Sequence, residues 1–111
     1  MTFEVIWLAS AERDLSDLVD YISEHDAPNM AEYVVEKILN ATAALATHPD
    51  AGAYVKELES IGSREYRQVF FKPYRVIYRV AGRKVFIYIV ADGRRDMQAL
   101  LMRRLVSDSS L

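Results

Sequence analysis

The sequence predicts an α+β domain in which a pair of antiparallel helices packs on an antiparallel β-sheet. Three observations support this prediction. Apolar residues recur at helical spacing between residues 11 and 45, alternate at strand spacing between residues 66 and 90, and return to helical spacing after residue 96. A short alternating segment precedes the first helix. We therefore expect the element order β-α-α-β-β-β-α, arranged in two layers.

The chain is expected to begin with a strand and a helix. Phe3, Val5 and Trp7 alternate with their neighbours and are aromatic or β-branched, which favours a strand. We expect this strand to lie at an edge of the sheet. Ser10 is expected to cap the helix that follows. The apolar face of that helix comprises Ala11, Leu15, Leu18 and Ile22.

A second, longer helix is predicted only a few residues later, so the two helices should form an antiparallel hairpin. Asp26 is expected as its N-cap, with Pro28 in its first turn. His48-Pro49 should end this helix, and residues 50–63 are expected to form a loop. The buried stripe of the second helix comprises Ala31, Val34, Val35, Ile38, Ala41 and Leu45.

Three strands with short links predict an antiparallel meander. The first spans residues 66–71 and stops at Lys72-Pro73, and the second spans residues 74–80. A tight turn at Ala81-Gly82-Arg83 should lead into the third strand. This third strand, residues 85–90, is apolar on both faces, so we expect it to be central in the sheet and covered on both sides.

The C-terminal segment predicts a short last helix. Asp92-Gly93 should end the third strand, and Asp96 is expected to cap the helix. We assign residues 1–106 to a single domain and expect residues 107–111 to form a disordered tail. The apolar face of the last helix comprises Met97, Leu100, Leu101 and Leu105.

The composition suits a small protein of a reducing cytoplasm. Hydrophobic residues make up 51% of the chain, which is enough for a core, and cysteine is absent. No apolar run approaches the roughly 20 residues of a membrane helix, and the N-terminus lacks the cationic start of a signal peptide. We therefore expect a cytoplasmic protein without a membrane segment.

The charge is unevenly distributed along the chain. The formal net charge is −2, which disfavours a general nucleic-acid binder. Residues 1–63 carry three basic and twelve acidic residues, a net charge of −9, whereas residues 64–104 carry eleven basic and three acidic residues, a net charge of +8. Two interpretations stay open: acidic helices and a basic sheet complement each other internally, or the basic half presents a surface to an anionic partner.

The sequence predicts neither a metal site nor a cofactor. There is no histidine pair at coordinating spacing, no cysteine and no cluster of carboxylates in the basic half. No glycine-rich loop that would hold a phosphate is present. The only histidines, His25 and His48, fall in the helical half and are expected to be structural or solvated.

Several motifs occur in an order that covers nearly the whole chain. The two longest are KPYRVIYRV at residues 72–80 and VADGRRD at residues 90–96. The others are Val5-Ile6-Trp7, Ala11 with Asp14-Leu15, Tyr21-Ile22, His48-Pro49 with Gly52, and Gly62-Ser63-Arg64. Together they resemble the RelE/ParE superfamily of toxins, and in particular its ParE-like plasmid-stabilisation proteins, whose corresponding long motifs are a YRI-x-Y-R-V strand and a V-x-H-G-R-R-D ending.

The resemblance implies a cytoplasmic toxin that arrests growth and is neutralised by a cognate antitoxin, ParD-like or RelB-like, in a hetero-oligomeric complex. Operator DNA would be bound only through the antitoxin. ParE-like members of the family poison DNA gyrase, whereas RelE-like members cut mRNA on the ribosome. The fold is shared between these branches, so the target must be argued from the residues.

RNA cleavage needs a base, an acid and cations that stabilise the developing phosphorane charge. At the position of the family's histidine before Gly-Arg-Arg the chain has Asp92, which would repel RNA phosphate, although its carboxylate could act as a base. No tyrosine follows Tyr88, where a RelE-type nuclease is expected to have a catalytic one. Available cations are Arg64, Arg67, Arg75, Arg79, Arg94 and Arg95. Tyrosines expected in the core, with hydroxyls at its rim, are Tyr66, Tyr74, Tyr78 and Tyr88.

We therefore expect a ParE-like toxin that inhibits DNA gyrase by binding and has no catalytic residue of its own. Two alternatives stay open: a ribosome-dependent mRNA endonuclease, and a non-toxic family member that binds its partner or regulates transcription. The candidate target-binding residues are Arg64, Arg79, Arg94 and Arg95. The candidate antitoxin-binding residues are Met97, Leu100, Leu101 and Leu105, which we expect the thin domain to leave partly uncovered.

Overall fold

The computed structural model describes residues 2–27 and 29–107, with side chains described up to residue 105. The predicted first-turn position of Pro28 and the tail at residues 108–111 lie outside the described residues. In chain order the elements are β1 (Glu4–Trp7), α1 (Ala9–His25), α2 (Met30–Ala43) followed by a 3-10 turn (Ala44–Ala46), β2 (Ala53–Tyr54), α3 (Lys56–Glu59), β3 (Tyr66–Phe71), β4 (Tyr74–Ala81), β5 (Lys84–Asp92) and α4 (Met97–Ser107).

The strands form one sheet in the order β1-β5-β4-β3-β2. The meander of β3, β4 and β5 is antiparallel, as predicted, and β1 pairs in parallel with β5 at the edge where we expected it. The link between β4 and β5 contains Gly82 at a φ of 60°, a left-handed conformation that suits glycine in a two-residue hairpin turn. The predicted α+β class and element order are therefore confirmed.

Both faces of the sheet are covered, so the expectation of two layers is wrong. The helical hairpin of α1 and α2 packs on one face, in a core that includes Ile22 and Ile38. On the opposite face, α4 and the single turn of α3 form a second core, which includes Leu58 and Leu101. This third layer explains why β5 is apolar on both faces, as the sequence had indicated.

A β-bulge in β5 changes which face its residues occupy. Ile77 of β4 pairs with Ile89, but the next residue, Tyr78, pairs with Ile87, so Tyr88 has no partner in the register. Tyr88 and Ile89 therefore both contribute to the core under α4, although they are consecutive. Beyond the bulge, Val90 contributes to the core under the hairpin.

Two predicted helix starts are corrected. Leu8, and not Ser10, stands at the N-cap of α1, and its N–H donates to the carbonyl of Ile87 as the continuation of the parallel pairing. The chain therefore passes from β1 into the helix without a separate capping residue. Asp26 is the C-cap of α1, with its N–H donating to the Ile22 carbonyl, and Asn29 stands at the N-cap of α2.

The predicted loop at residues 50–63 contains two short elements. β2 pairs with Arg67 and Gln68 of β3, and α3 buries Leu58 against the sheet. The turn that follows α3 contains Gly62, whose φ of 77° lets the following N–H, that of Ser63, donate back to the Leu58 carbonyl. Elements this short carry no periodicity that a sequence pattern could have revealed.

Candidate functional site

The four arginines that we expected to bind the target lie at two separate places. Arg79 is near the end of β4 and pairs with Tyr66, whereas Arg94 follows β5, whose Asp92 pairs with Tyr74 at the start of β4. Five residues separate the two positions along β4, or about 17 Å at roughly 3.4 Å per residue. Arg64 lies with Arg79, and Arg95 lies with Arg94, so a single small contact cannot use all four.

The first place is a pocket of about 220 Å³ between the end of β4, the start of β3 and β2. It brings Arg64 and Arg79 together with Arg67, which we had not selected as a binding residue, and with Tyr54. Sequence patterns missed Tyr54 and Arg67 because the pairing of β2 with β3 creates their proximity, and β2 was expected to be loop. The whole lining is Tyr54, Arg64, Glu65, Arg67, Arg79 and Val80.

The second place holds an exposed ion pair. The Arg94 Nη2 lies 2.6 Å from the Asp92 Oδ2, and the backbone N–H of Arg94 also donates to Asp92, at 2.9 Å. Hydrogen bonding from Arg94 holds the pKa of the Asp92 carboxyl below its usual value. Asp92 is therefore ionised and engaged at neutral pH, which makes it a poor general base. Arg95 is exposed beside this pair.

Arg94 and Arg95 border a cavity of about 560 Å³ between α1 and the ends of β4 and β5. The cavity is also lined by His25, which we expected to be structural or solvated, and by Tyr74, so the structure places this histidine in the same cavity as Asp92. His25 is exposed, stacks on Tyr21 with ring centroids 4.2 Å apart, and bonds through Nδ1 to the Tyr21 carbonyl oxygen at 2.8 Å. The carboxylates that line the cavity are Asp14, Asp17, Asp26 and Asp92.

These charges oppose the binding of RNA in the cavity. Four carboxylates face two arginines, which gives the lining a negative balance that opposes a phosphate backbone. The other histidine, His48, is exposed near Thr47, whose hydroxyl is 3.0 Å from its Nδ1.

Arg75 lies near the start of β4, the central strand of the sheet, and has a structural role. It is buried and forms a two-pronged ion pair with Glu57 of α3, with both nitrogen–oxygen distances at 2.8 Å. Its Nε donates to the Gln68 side chain at 2.7 Å. The hydrogen bonds from Arg75 lower the pKa of Glu57. This cation is consequently fully engaged inside the protein and is not available to a ligand.

The tyrosines serve the core, as the sequence indicated. The Tyr78 hydroxyl donates to the Pro49 carbonyl at 2.8 Å and accepts the Gly52 N–H at 2.9 Å, which fastens the segment after α2 to the sheet. Tyr66 meets Tyr88 edge to face, with centroids 5.2 Å apart. Burial raises the pKa of Tyr66 to about 12, and burial also raises the pKa of Tyr74 and Tyr78. These three phenols are therefore not activated as bases at neutral pH.

The residues that we expected to bind the antitoxin are covered by the protein itself. Met97, Leu100 and Leu101 are buried in the core between α4 and the sheet, and Leu105 is partly buried against it. The expectation of an uncovered apolar face on this helix is therefore wrong, because α4 packs these side chains against the sheet. The predicted cap is confirmed, since the Asp96 side chain accepts the N–H of Ala99 at 3.1 Å.

An ion pair holds α4 against the hairpin. Arg104 of α4 lies 2.8 Å from Asp14 of α1, and it also donates to the Tyr88 carbonyl at 3.0 Å. The other oxygen of Asp14 accepts the N–H of Val90 at 3.0 Å. β1 pairs with β5 only as far as Ile87, so the Asp14–Arg104 pair satisfies backbone groups that β1 no longer reaches.

An open apolar surface exists on the helical hairpin instead. Two adjoining cavities, of about 600 and 400 Å³, share Val19, Val35 and Leu39 and extend to Trp7 of β1. Leu39 is 44% exposed. We call this surface the hairpin groove. The acidic residues along it are Glu12, Glu32 and Glu36.

No group of three or more histidines and carboxylates among the described residues is arranged to hold a metal ion. In the same part of the chain, no helix is both long enough and apolar enough to cross a membrane.

Solved structures with this fold include three from toxin–antitoxin systems. A chain of the chromosomal ParDE system from P. aeruginosa aligns with a TM-score of 0.67 and 19% identity, over 82% of this chain and 96% of that one. A chain of the RelBE2 toxin–antitoxin complex from Mycobacterium tuberculosis aligns with a TM-score of 0.56 and 24% identity, over 83% of this chain and 99% of that one. A mutant E. coli RelE toxin in the free state aligns with a TM-score of 0.60 and 14% identity, over 97% of this chain and 98% of that one.

The sequence itself identifies the family. No curated protein matches the chain. Residues 5–97 match the sequence model of a family described as the ParE toxin of type II toxin–antitoxin system, parDE. The match extends from β1 to the first residue of α4 and includes both arginine-bearing places. The chain therefore belongs to the ParE toxin family of type II toxin–antitoxin systems.

Proposed function

We propose that this toxin inhibits DNA gyrase in the cytoplasm by binding to it, without catalysis of its own. The observation that carries the proposal is the state of Arg75. Its guanidinium is bound by the side chains of Glu57 and Gln68, so this arginine of the central strand cannot stabilise the negative charge of a phosphorane. The membership of the ParE family supports the same target.

Arg94 and Arg95 are proposed to contact the target. They are consecutive, exposed, and lie where the chain leaves β5 for α4. Arg94 is oriented by Asp92, which reduces the conformational entropy lost on binding. Arginine is also a residue that often dominates the energy of an interface.

The cognate antitoxin is proposed to bind the hairpin groove. The groove combines the exposed apolar side chain of Leu39 with acidic residues along it, so its occupant should be an amphipathic segment with apolar and basic side chains. Binding of this kind needs no rearrangement of α4. Replacement of Leu39 by Glu should weaken the toxin–antitoxin complex at least about tenfold, a loss of about 1.4 kcal/mol. An unchanged affinity in a pull-down titration would refute the groove as the docking surface.

The test of the target is induction of the toxin alone in a bacterium, with the DNA damage response and new protein synthesis followed over the first minutes. Early DNA damage with continuing translation is expected. The double variant Arg94→Gln and Arg95→Gln should lose toxicity and keep its fold, whereas Lys84→Gln, which removes an exposed charge at the other end of β5, should remain toxic. Early translation arrest with cut messages would contradict the proposal.

A nuclease is the second candidate, because one cavity contains His25, Tyr74 and Asp92 beside two arginines. In that case His25→Ala should abolish message cleavage during induction. If the toxin acts by binding, His25→Ala should leave toxicity nearly unchanged, since His25 is exposed and, although it lines the same cavity as Arg94 and Arg95, makes none of the proposed contacts.

A further inference from the structure

The pocket formed by Tyr54, Arg64, Arg67 and Arg79 has no assigned role in the proposed inhibition of the target. It lies about 17 Å from Arg94 along β4. β2, the start of β3 and the end of β4 contribute to it, so three guanidinium groups from separate positions of the sequence converge only in the folded chain. Positive charges brought close together repel one another unless an anion lies among them.

The charges in this pocket are not compensated internally. The ion pairs found among the described residues involve Arg75, Arg94 and Arg104, and none involves an arginine of the pocket. The Nε of Arg79 is buried and has no hydrogen-bond partner within the described part of the chain. Buried donors are almost always paired in native proteins, so this donor calls for a partner.

Tyr54 positions two of the three guanidinium groups. The guanidinium carbon of Arg67 lies 4.4 Å from the centroid of the Tyr54 ring, and that of Arg64 lies 5.4 Å from it. Arg67 is further fixed by hydrogen bonds to the Tyr54 hydroxyl at 3.2 Å and to the Gly52 carbonyl at 2.8 Å. These contacts leave other N–H groups of the five that each guanidinium carries. The groups are therefore held in place before any ligand arrives.

We propose that this pocket binds a dianionic phosphate group, either free or as the terminal phosphate of a nucleotide. Three arginines and Glu65 give the lining a balance of two positive charges, which a phosphate dianion neutralises. A carboxylate, or the diester of a nucleic-acid backbone, brings only one negative charge. The planar guanidinium fork also matches phosphate oxygens in pairs.

The first experiment titrates the purified full-length chain with inorganic phosphate, sulfate and acetate at constant ionic strength, with the arginine Nε–H signals followed by NMR. Phosphate and sulfate should bind saturably and shift the signals of Arg64, Arg67 and Arg79. Acetate should bind at least about tenfold more weakly. Equal binding of acetate and phosphate would refute the preference for a dianion and indicate a carboxylate of a partner protein as the ligand. A response that only follows ionic strength would overturn the site.

Variants of the lining test the site independently of folding. Arg64→Gln and Arg79→Gln should each weaken phosphate binding about tenfold, because each removes charge-assisted hydrogen bonds. Glu65→Gln should strengthen it severalfold, since it removes the repulsive carboxylate. Arg64 and Glu65 are exposed, so their replacement should not disturb the core. Lys72→Gln, a matched charge removal at the other end of β3, should leave the affinity unchanged; a decrease equal to that of Arg64→Gln would overturn the pocket.

A second titration separates the two sources of the phosphate. A nucleoside 5′-monophosphate and a dinucleotide with one internal diester are compared with inorganic phosphate. Tighter binding of the monophosphate supports a nucleotide or nucleic-acid end, and equal binding supports the free ion. Preference for the internal diester would overturn the assignment, because the pocket would then recognise a strand and not a terminal group.

Discussion

The two places where arginines gather differ in how their charge is balanced. At the exit from β5, Arg94 is matched by Asp92 and faces further carboxylates of α1. At the other end of β4, Arg64 and Arg79 have no ion-pair partner among the described residues. The basic half of the sequence therefore combines arginines that form ion pairs within the protein with arginines that have no ion-pair partner among the described residues.

The internally used arginines should carry stability. Arg75→Ala is expected to give the largest effect, a loss of about 3–5 kcal/mol in the free energy of unfolding, because it leaves the largely buried Glu57 without a partner. Urea denaturation measures this loss. Arg64→Ala, from the open pocket, is the matched control and should change the same quantity by less than about 0.5 kcal/mol. Equal losses of stability in the two variants would contradict the distinction between arginines paired within the protein and arginines that have no ion-pair partner.

Arg104 should give the next largest effect. Arg104→Ala removes the ion pair with Asp14 and the hydrogen bond to the Tyr88 carbonyl, for an expected loss of about 1–3 kcal/mol. Faster amide hydrogen exchange in α4 than in β4 would locate this loss at the last helix. In a double-mutant cycle with Asp14→Ala, the two losses should not add, because the residues share one interaction. If the losses of the two single variants added fully in the double variant, the Asp14–Arg104 ion pair would not contribute to stability.

The contact of Arg75 with Glu57 should also appear in the pH dependence of stability. The pKa of Glu57 in the folded protein is below its ordinary value of 4.5, so the unfolded chain binds the proton more tightly. The stabilisation is therefore complete above about pH 4.5 and lost as the pH falls through the lower folded pKa. Glu57→Gln should be less stable at neutral pH and should lose less stability on acidification. Parallel curves for the two proteins would argue against this contribution.

The smallest effect on folding is expected for Arg94. Its side chain is exposed, so Arg94→Gln should leave the melting temperature unchanged. The variant should nevertheless raise the pKa of Asp92 toward its ordinary value of 3.8, because the Arg94 hydrogen bond is the main cause of the lowered pKa. An NMR titration of the Asp92 carboxyl measures this. A pKa that does not move would mean that Arg94 is free to point elsewhere in solution.

Much of the fold could be predicted because it depends on long, regular patterns. The bounds of β3 are those expected, and the apolar character of β5 on both faces correctly indicated cover on both sides. The third layer was missed, because the apolar face of a helix does not reveal whether it packs on its own sheet or on a partner. The start of α1 was missed because its geometry is set by the pairing of Leu8 with Ile87, a contact distant in sequence.

The candidate site was less accessible to sequence reasoning. Residue type was enough to select Arg64 and Arg79, but not to separate them from Arg94, since the two places differ by position along β4. The part played by Arg75 depends on Glu57, which lies in a helical turn too short to predict. His25 enters the same cavity as Asp92 only because α1 crosses the end of β5.

The bulge at Tyr88 and Ile89 makes the length of β5 critical. In a strand, each added or removed residue reverses the side of the sheet on which the following residues emerge. Deletion of Tyr88 would remove the bulge and leave Ile87 and Ile89 on the faces that they now occupy, whereas a deletion elsewhere in β5 would move the residues on one side of it to the opposite face. Homologues with an insertion or deletion at other positions of this strand should therefore carry a compensating change before residue 97, whereas the turn at Gly82 should tolerate changes in length. Sequence spacing between the Tyr78 and Arg94 positions thus becomes a diagnostic for relatives that keep the same three layers.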